Sequence, residues 1–301
     1  MSAAPADGGV PLGRPDAWPA PGKLNLFLHV VGRRPDGYHL LQTAFQFIDL
    51  ADEVRLFHRP PGVIERLVEL PGVAAEDDLV VRAARLLARE SGHVGPGVAI
   101  EVTKRLPMGG GVGGGSSDAA TVLVALNEVW NLGLSVERLA TLALSLGADV
   151  PVFVGARACW GEGVGEILTP IEPPERWYVL VHPGAAVATA EVFKAPELTR
   201  DSPAITIRGF LMTGGRNDCE PVVRRRFPVV AEALDWLGRW VPGAPARLTG
   251  TGACVYAAVA DEGAALDVLA RLPTRWTGWA VRGINRSPLA ARLEAERAAG
   301  A

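Results

Sequence analysis

Three cysteines, Cys159, Cys219 and Cys254, are too few and too unevenly numbered for a disulfide framework, and no C-x-x-C pair is present to hold zinc. That usage fits a reducing compartment, and the expected location is cytoplasmic. The five histidines form no H-E-x-x-H pattern, so a zincin centre has no ligands. No G-x-x-x-x-G-K-[ST] run occurs, which excludes a Walker-type phosphate loop. No apolar stretch reaches membrane-spanning length. The first twenty residues, rich in Pro, Gly and Ala, lack the apolar segment of a signal peptide and the Arg-rich, acid-poor character of a transit peptide. They read as a frayed tail, residues 1–20. A dominant charge sign is also missing: 30 basic against 33 acidic residues give a net charge of −3, which supports neither nucleic-acid nor membrane binding. The one tight basic run, Arg224-Arg225-Arg226, reads as the solvated start of a helix.

Glycine, by contrast, is abundant and concentrated. Residues Pro107 to Asp118 read Pro-Met-Gly-Gly-Gly-Val-Gly-Gly-Gly-Ser-Ser-Asp and lead into an apolar-periodic segment with Ala119, Val122, Leu123, Leu126 and Trp130 on one helical face. Chain without Cβ atoms can take φ > 0 and turn its amides inward, and the free N–H groups and dipole of the following helix add positive charge. The expected role is a phosphate cradle, with Gly109, Gly110, Gly111, Gly113, Gly114 and Gly115 in the loop. Ser116 and Ser117 would supply hydroxyls for the helix cap or for a metal-bound phosphate. A flexible linker is disfavoured, because the run joins a strand-like segment (Val98 to Val102) to a helix rather than two modules. Gly109, Gly111 and Gly114 also match G-x-G-x-x-G. That match is weak, since Lys104 to Pro107 intervene after the strand and no acidic strand end follows at the expected distance.

Elsewhere, Leu24, Leu26, Leu28 and Val30 alternate with Asn25, Phe27 and His29 as in a half-buried strand, broken by the turn Gly32 to Gly37. Strands are expected at Thr43 to Asp49, Glu53 to Phe57, Trp177 to His182, Val255 to Ala260 and Trp276 to Val281. Helices are expected over Leu79 to Glu90, after Ser135, around Val229 to Trp240 and from Asp261. Gly147-Ala-Asp-Val-Pro151 reads as a helix stop, and Pro170 to Pro174 as a seam between two halves. Grouped rather than alternating strands favour an α+β fold.

Four segments together resemble the galactokinase, homoserine kinase, mevalonate kinase and phosphomevalonate kinase superfamily: Pro21 to Leu28, Arg34-Pro-Asp-Gly-Tyr-His39, the loop Pro107 to Asp118, and Leu248 to Cys254. Leu146 to Pro151 and Arg216 to Glu220 strengthen the match, which spans about Pro21 to Leu289. The Asp-Gly-Tyr-His segment selects the branch that phosphorylates a cytidine diphosphate conjugate of methylerythritol in non-mevalonate isoprenoid precursor synthesis. The resemblance implies a two-lobed fold with the substrate cleft between an ATP-binding lobe, residues 21–169, and a substrate-binding lobe, residues 170–301. It implies ATP as phosphoryl donor, a hydroxyl of the methylerythritol portion, the 2-hydroxyl, as acceptor, and Lys23 and Asp149 as the catalytic pair. Asp149 would act as a base or orient the nucleophile, and Lys23 would keep it ionised while stabilising γ-phosphoryl charge.

The branch pattern places Tyr38 and Phe193 on the two faces of the cytosine, His39 at its edge, and Asn25 and Thr189 at the methylerythritol end. Aromatic faces give contact area at low entropic cost while polar groups read the base. Mg²⁺ is expected on general grounds, with its protein ligands open. Cys254 reads as a small buried filler. The Gly250–Gly252 turn is either a plain turn or an approach to substrate. Two positions depart from the pattern: Gly22 stands where Ala is frequent, and Asp78 where an Asn near adenine is frequent. A homoserine, mevalonate or sugar kinase is opposed by Tyr38, His39 and Phe193, and a non-catalytic nucleotide-binding regulator by the presence of both Lys23 and Asp149.

Overall fold

The computed structural model describes residues 9–300. In chain order the elements are β1 (Trp18–Arg33), β2 (His39–Arg59), β3 (Ile64–Arg66), α1 (Leu79–Ser91), β4 (Gly97–Thr103), α2 (Gly114–Val129), α3 (Val136–Leu144) and α4 (Val150–Gly155). There follow β5 (Cys159–Glu162), β6 (Ile167–Pro170), β7 (Trp177–His182), α5 (Thr189–Lys194), α6 (Ile207–Thr213), α7 (Glu220–Arg226) and α8 (Pro228–Trp240). The chain closes with β8 (Arg247–Leu248), β9 (Val255–Val259), α9 (Glu262–Leu269), β10 (Thr277–Ile284) and α10 (Pro288–Gly300). This is the mixed α and β, two-lobed architecture expected from the sequence.

One strand organises the sheet. β2 pairs antiparallel with β1 along most of its length, and with β5, β10 and β4 at successive positions, through Thr43 to Phe45, Phe47 to Ile48, and Glu53 to Arg59. The main path runs β3-β4-β2-β10-β7-β9-β8, so the short β10–β2 pairing of Gly283 with Ile48 and Ile284 with Phe47 joins the two halves. Thr43 to Asp49 and Glu53 to Phe57 are therefore parts of one 21-residue strand, because β1 pairs with Ala51 and Asp52 and carries the ladder across the residues between them.

The alternation in β1 does not mark a solvent face. Leu24, Phe27, Leu28 and Val30 are all buried, and so are Asn25 and His29. Register shifts at Pro21/Lys23, Asn25/Phe27 and Val30/Gly32 rotate the strand as it passes from one core to the next. Trp18 and Ala20 enter a core with α1, α2, α3 and α4. Leu24 enters a middle cluster with Leu106, Val112, Leu180, Cys254 and Tyr256. Leu28 and Val30 enter a third with Val179, Val255, Val223 and Leu234. The middle cluster packs the glycine loop, through Val112, against β7 and β9.

Four expectations are corrected. Residues 1–8 of the expected tail lie outside the described residues, but residues 9–20 are placed: Leu12 is buried, Leu12 N–H donates to the Leu56 carbonyl at 2.8 Å, and Trp18 is 1% exposed at the head of β1. The helix stop at Gly147 stands, with α3 ending at Leu144, but Pro151 lies in the first turn of a new helix, α4, where a proline gives up no helical hydrogen bond. The arginine run ends α7 rather than starting a helix, where cations favour the dipole; Arg224 pairs with Glu220 and Asp235, and Arg226 with Glu197. Finally, α10 packs on β1 and α2, with Leu289 in the first core, so the chain returns to the first lobe at its end. Among the described residues no helix is long and apolar enough to cross a membrane.

Arg292 of α10 lies over the Trp18 ring, 4.2 Å from its centroid, a cation–π contact that locks the start of β1 under the last helix. Trp18→Ala is expected to destabilise the protein by about 3–5 kcal/mol, measured by urea unfolding. A loss within experimental error would show the segment to be peripheral after all.

Candidate active site

Glycine is required at defined points of the loop. Gly111 (φ +74°) and Gly113 (φ +75°) are left-handed, and a Cβ on Gly111 would stand 2.3 Å from the Thr249 carbonyl oxygen. A Cβ on Gly113 would meet the Phe153 ring at 2.7 Å. All six glycines of the loop, with Ser116, line one cleft of about 1090 Å³. Helix α2 begins at Gly114 with Gly113 as N-cap and no side-chain cap. Ser116 and Ser117 are therefore inside the first turn and do not cap it. The amides of Gly114, Gly115 and Ser116 are left for a ligand at the positive end of the helix. Ser117 is fully buried, does not line the cleft, and its hydroxyl has no partner among the described residues.

The second glycine turn braces the first. Ala253 N–H donates to the Gly109 carbonyl at 3.2 Å and Cys254 N–H to the Gly110 carbonyl at 3.0 Å. Thr249 Oγ1 donates to the Gly111 carbonyl at 3.3 Å, while Gly250 and Thr251 also line the cleft. Cys254 is buried beneath Gly110, where a larger side chain would displace the loop, and burial holds its thiol far above the usual range.

Lys23 sits where β1 passes this loop. Its side chain is 3% exposed, its backbone N–H donates to the Val112 carbonyl at 2.9 Å, and its ammonium donates to the Gly111 carbonyl at 3.0 Å and to Asn25 Oδ1 at 2.5 Å. The same Nζ lies 3.3 Å from Asp149 Oδ2, whose side chain is 40% exposed at the start of α4. Asn25 in turn donates from Nδ2 to Thr43 Oγ1 at 2.9 Å, so β2 orients it. A nearly buried cation with fixed acceptors thus faces an open carboxylate across the cleft wall.

The far end of the cleft is aromatic. Tyr38, 65% exposed, and His39 stand at the head of β2, and Phe193 and Thr189 come from α5. The His39 and Phe193 rings are 5.1 Å apart, inclined by 30°, and Thr189 Oγ1 lies 3.0 Å from Thr251 Oγ1. The His39 ring is held below the usual imidazole range by burial first, then by the cations Arg200 and Arg33. The sequence-expected residues Lys23, Asn25, Tyr38, His39, Asp149, Thr189 and Phe193 all line one cleft with the glycine loop.

Two arrangements at this site were not anticipated. Asp78 caps α1, accepting from Val80 N–H at 3.1 Å and from Arg66 Nη1 at 3.0 Å, so both of its oxygens are engaged in structure. Beneath the helix entrance, Lys104 Nζ donates to Asp118 Oδ2 at 2.7 Å and to Asp52, whose other oxygen accepts from Leu106 N–H at 2.8 Å. Two buried carboxylates share one ammonium. The only sequence signal was the spacing of Lys104 and Asp118 on either side of the loop, and Asp52 lies far from both in the chain. Burial pushes the Asp118 carboxyl up to about 7, with Lys104 opposing and Asp52 adding to the rise.

Comparison with known proteins gives a consistent picture. Residues 78–156 match the GHMP kinases N terminal domain and residues 205–278 the GHMP kinases C terminal domain. A 4-diphosphocytidyl-2-C-methyl-D-erythritol kinase of Halorhodospira halophila is 59% identical over 275 residues, covering 90% of this chain and 94% of that protein. One of Nitrosococcus oceani is 56% identical, covering 92% and 98%. A crystal structure of 4-(cytidine 5'-diphospho)-2C-methyl-D-erythritol kinase superposes with a TM-score of 0.78 at 30% identity, covering 89% of this chain and all of that one. Homoserine kinase from Cytophaga hutchinsonii shares the fold, with a TM-score of 0.67 at 15% identity over 95% of this chain and 98% of that one.

The buried triad generates a pH prediction. An unfolded Asp118 ionises at about pH 4, whereas the folded one keeps its proton up to about 7. The folded chain binds more protons across that window, so stability falls as pH rises through it. Asp118→Asn is expected to remove this slope, seen as a flatter Tm against pH, with about 2–4 °C for each kcal/mol. Identical slopes in both proteins would contradict the assignment.

Proposed function

The chain belongs to the 4-diphosphocytidyl-2-C-methyl-D-erythritol kinases within the GHMP kinases, and we propose that its phosphoryl transfer runs between the glycine loop and the Lys23–Asp149 pair. It is a phosphotransferase that uses ATP and acts on 4-diphosphocytidyl-2-C-methyl-D-erythritol in non-mevalonate isoprenoid precursor synthesis. The observation that carries the mechanism is the 3.3 Å approach of a buried ammonium to an open carboxylate beside an uncapped helix entrance.

The loop from Gly109 to Gly115 and the first turn of α2 bind the triphosphate through main-chain amides. Asp149 accepts the hydrogen bond of the acceptor hydroxyl, the 2-hydroxyl of the methylerythritol portion, orients it in line, and takes its proton as the new oxygen–phosphorus bond forms. Lys23 lies 3.3 Å from the Asp149 carboxylate and stabilises charge on the transferring group; its other acceptors prevent it from collapsing onto the carboxylate. Asn25 and Thr189 hold the methylerythritol portion, and Tyr38, Phe193 and His39 hold the cytosine.

Among the described residues no three His, Cys, Asp or Glu side chains group to hold a metal. This suits Mg²⁺ bound chiefly by phosphate oxygens and water. The start of α2 offers Ser116 and Asp118 Oδ1, which has no partner among the described residues, as oxygen donors. When bound, Mg²⁺ supplies neutralisation of phosphate charge. The same reading includes cytoplasmic action on a small molecule without a nucleic-acid partner, supported by the balanced charge and the three free, buried cysteines.

Asp149→Asn is expected to lower kcat at least about 10²-fold while nucleotide affinity stays nearly intact. Steady-state rates with nucleotide titration test this, and near-normal turnover would remove Asp149 from the mechanism. His39→Ala should raise KM for the cytidine conjugate well above any change in KM for ATP; equal effects on both would dissociate His39 from the base.

A further inference from the structure

Arg200, in the segment after α5, spends its guanidinium on one short stretch of chain and one ring. Its Nη2 donates to the carbonyls of Phe193 (3.1 Å) and Ala195 (2.7 Å), its Nη1 to that of Leu198 (2.9 Å), and its Nε to His39 Nε2 (3.1 Å). The contact with His39 has a chemical consequence. A guanidinium has only donors and does not give up its charge at ordinary pH. Nε2 must therefore be the lone-pair nitrogen, and the neutral ring carries its proton on Nδ1. Nδ1 has no protein partner among the described residues, and His39 lines the cleft. The imidazolium form is disfavoured as well, because a proton on Nε2 would face a cation, with Arg33 a second one nearby.

We propose that Arg200 is a specificity-determining positioning residue: it fixes His39 as the neutral Nδ1–H tautomer, so that the ring presents one donor to the pyrimidine and favours cytosine over uracil. The proposal rests on the assignment of the Tyr38–His39–Phe193 end to the base. Cytosine carries an unprotonated ring nitrogen at N3 beside its O2 carbonyl, both acceptors, whereas uracil carries N3–H. A donor fixed on Nδ1 meets a lone pair in the first case and another N–H in the second. The opposite tautomer, with a lone pair on Nδ1, would invert that preference. Because the same guanidinium ties down the carbonyls around Phe193, the stacking wall and the edge donor are set by one group.

Two measurements test this. In the unaltered enzyme, long-range ¹H–¹⁵N NMR of the imidazoles, with His39 assigned by loss of its signals in His39→Gln, should show a protonated Nδ1 and a pyridine-like Nε2 at neutral pH. The opposite tautomer, or an imidazolium, would overturn the proposal whatever the variants do. In Arg200→Met, kcat/KM for the cytidine conjugate should fall about tenfold, chiefly through KM, with KM for ATP unchanged. The preference over the corresponding uridine diphosphate conjugate should fall in parallel, and the His39 signals should shift toward the Nε2–H form. Arg200→Lys, which keeps a donor, should recover part of the preference. A preference unaltered in Arg200→Met would overturn the proposal. Loss of discrimination already in the unaltered enzyme, with the NMR result as expected, would instead refute the assignment of this end to cytosine.

Discussion

Lys23 is the pivot of the molecule. An ammonium at 3% exposure is costly unless every direction it faces holds an acceptor, and here those acceptors come from separate parts of the chain. The Gly111 carbonyl is available only because that residue is left-handed, and Asn25 is oriented by Thr43 of β2. Asp149 arrives at the start of a helix whose proline fixes its direction. Seating the lysine therefore requires the register of β1, the conformation of the glycine loop and the entry of α4 to be correct together. Folding and assembly of the proposed phosphoryl-transfer site are, in this sense, one event.

The long strand β2 sets the dimensions of the cleft. His39 stands at its head among the aromatic residues, Thr43 and Phe45 lie beneath Asn25 and Lys23, and Asp52 lies under the helix entrance with Lys104. On the proposed assignment, base, acceptor hydroxyl and phosphate are thereby referred to one rigid ruler, rather than to loops that could drift against each other. The middle hydrophobic cluster then pins the glycine loop to the second lobe through Val112, Cys254 and Tyr256. Its amides are held in place before any ligand arrives, which is where electrostatic stabilisation gains its strength.

Much of this was legible in the residues. The glycine run followed by an apolar-periodic helix pointed to an anion site on local physics alone, and Ser135 and Asp261 marked helix starts that their hydrogen bonds to Arg138 and Ala264 reproduce. The pairing of Lys23 with Asp149 was available only through resemblance, because nothing in their sequence spacing brings a strand opening and a distant turn together. Local reading failed where tertiary pairing overrides it: β1 alternates yet is buried on both faces, and the proline-rich start joins a core completed by α10 from the other end of the chain. The Asp52–Lys104–Asp118 triad and the grip of Arg200 on His39 were illegible for the same reason. Each is a contact across long sequence separation between residue types that are ordinarily solvated.

The most direct test of the central claim is single-turnover phosphoryl transfer by Lys23→Met, followed by ³¹P NMR of the product, with binding of both substrates measured on the same protein. The account predicts that nucleotide and cytidine conjugate still bind within a few-fold, while formation of the phosphomonoester slows by about 10²–10³-fold. Transfer at the unaltered rate by a folded Lys23→Met enzyme would contradict it.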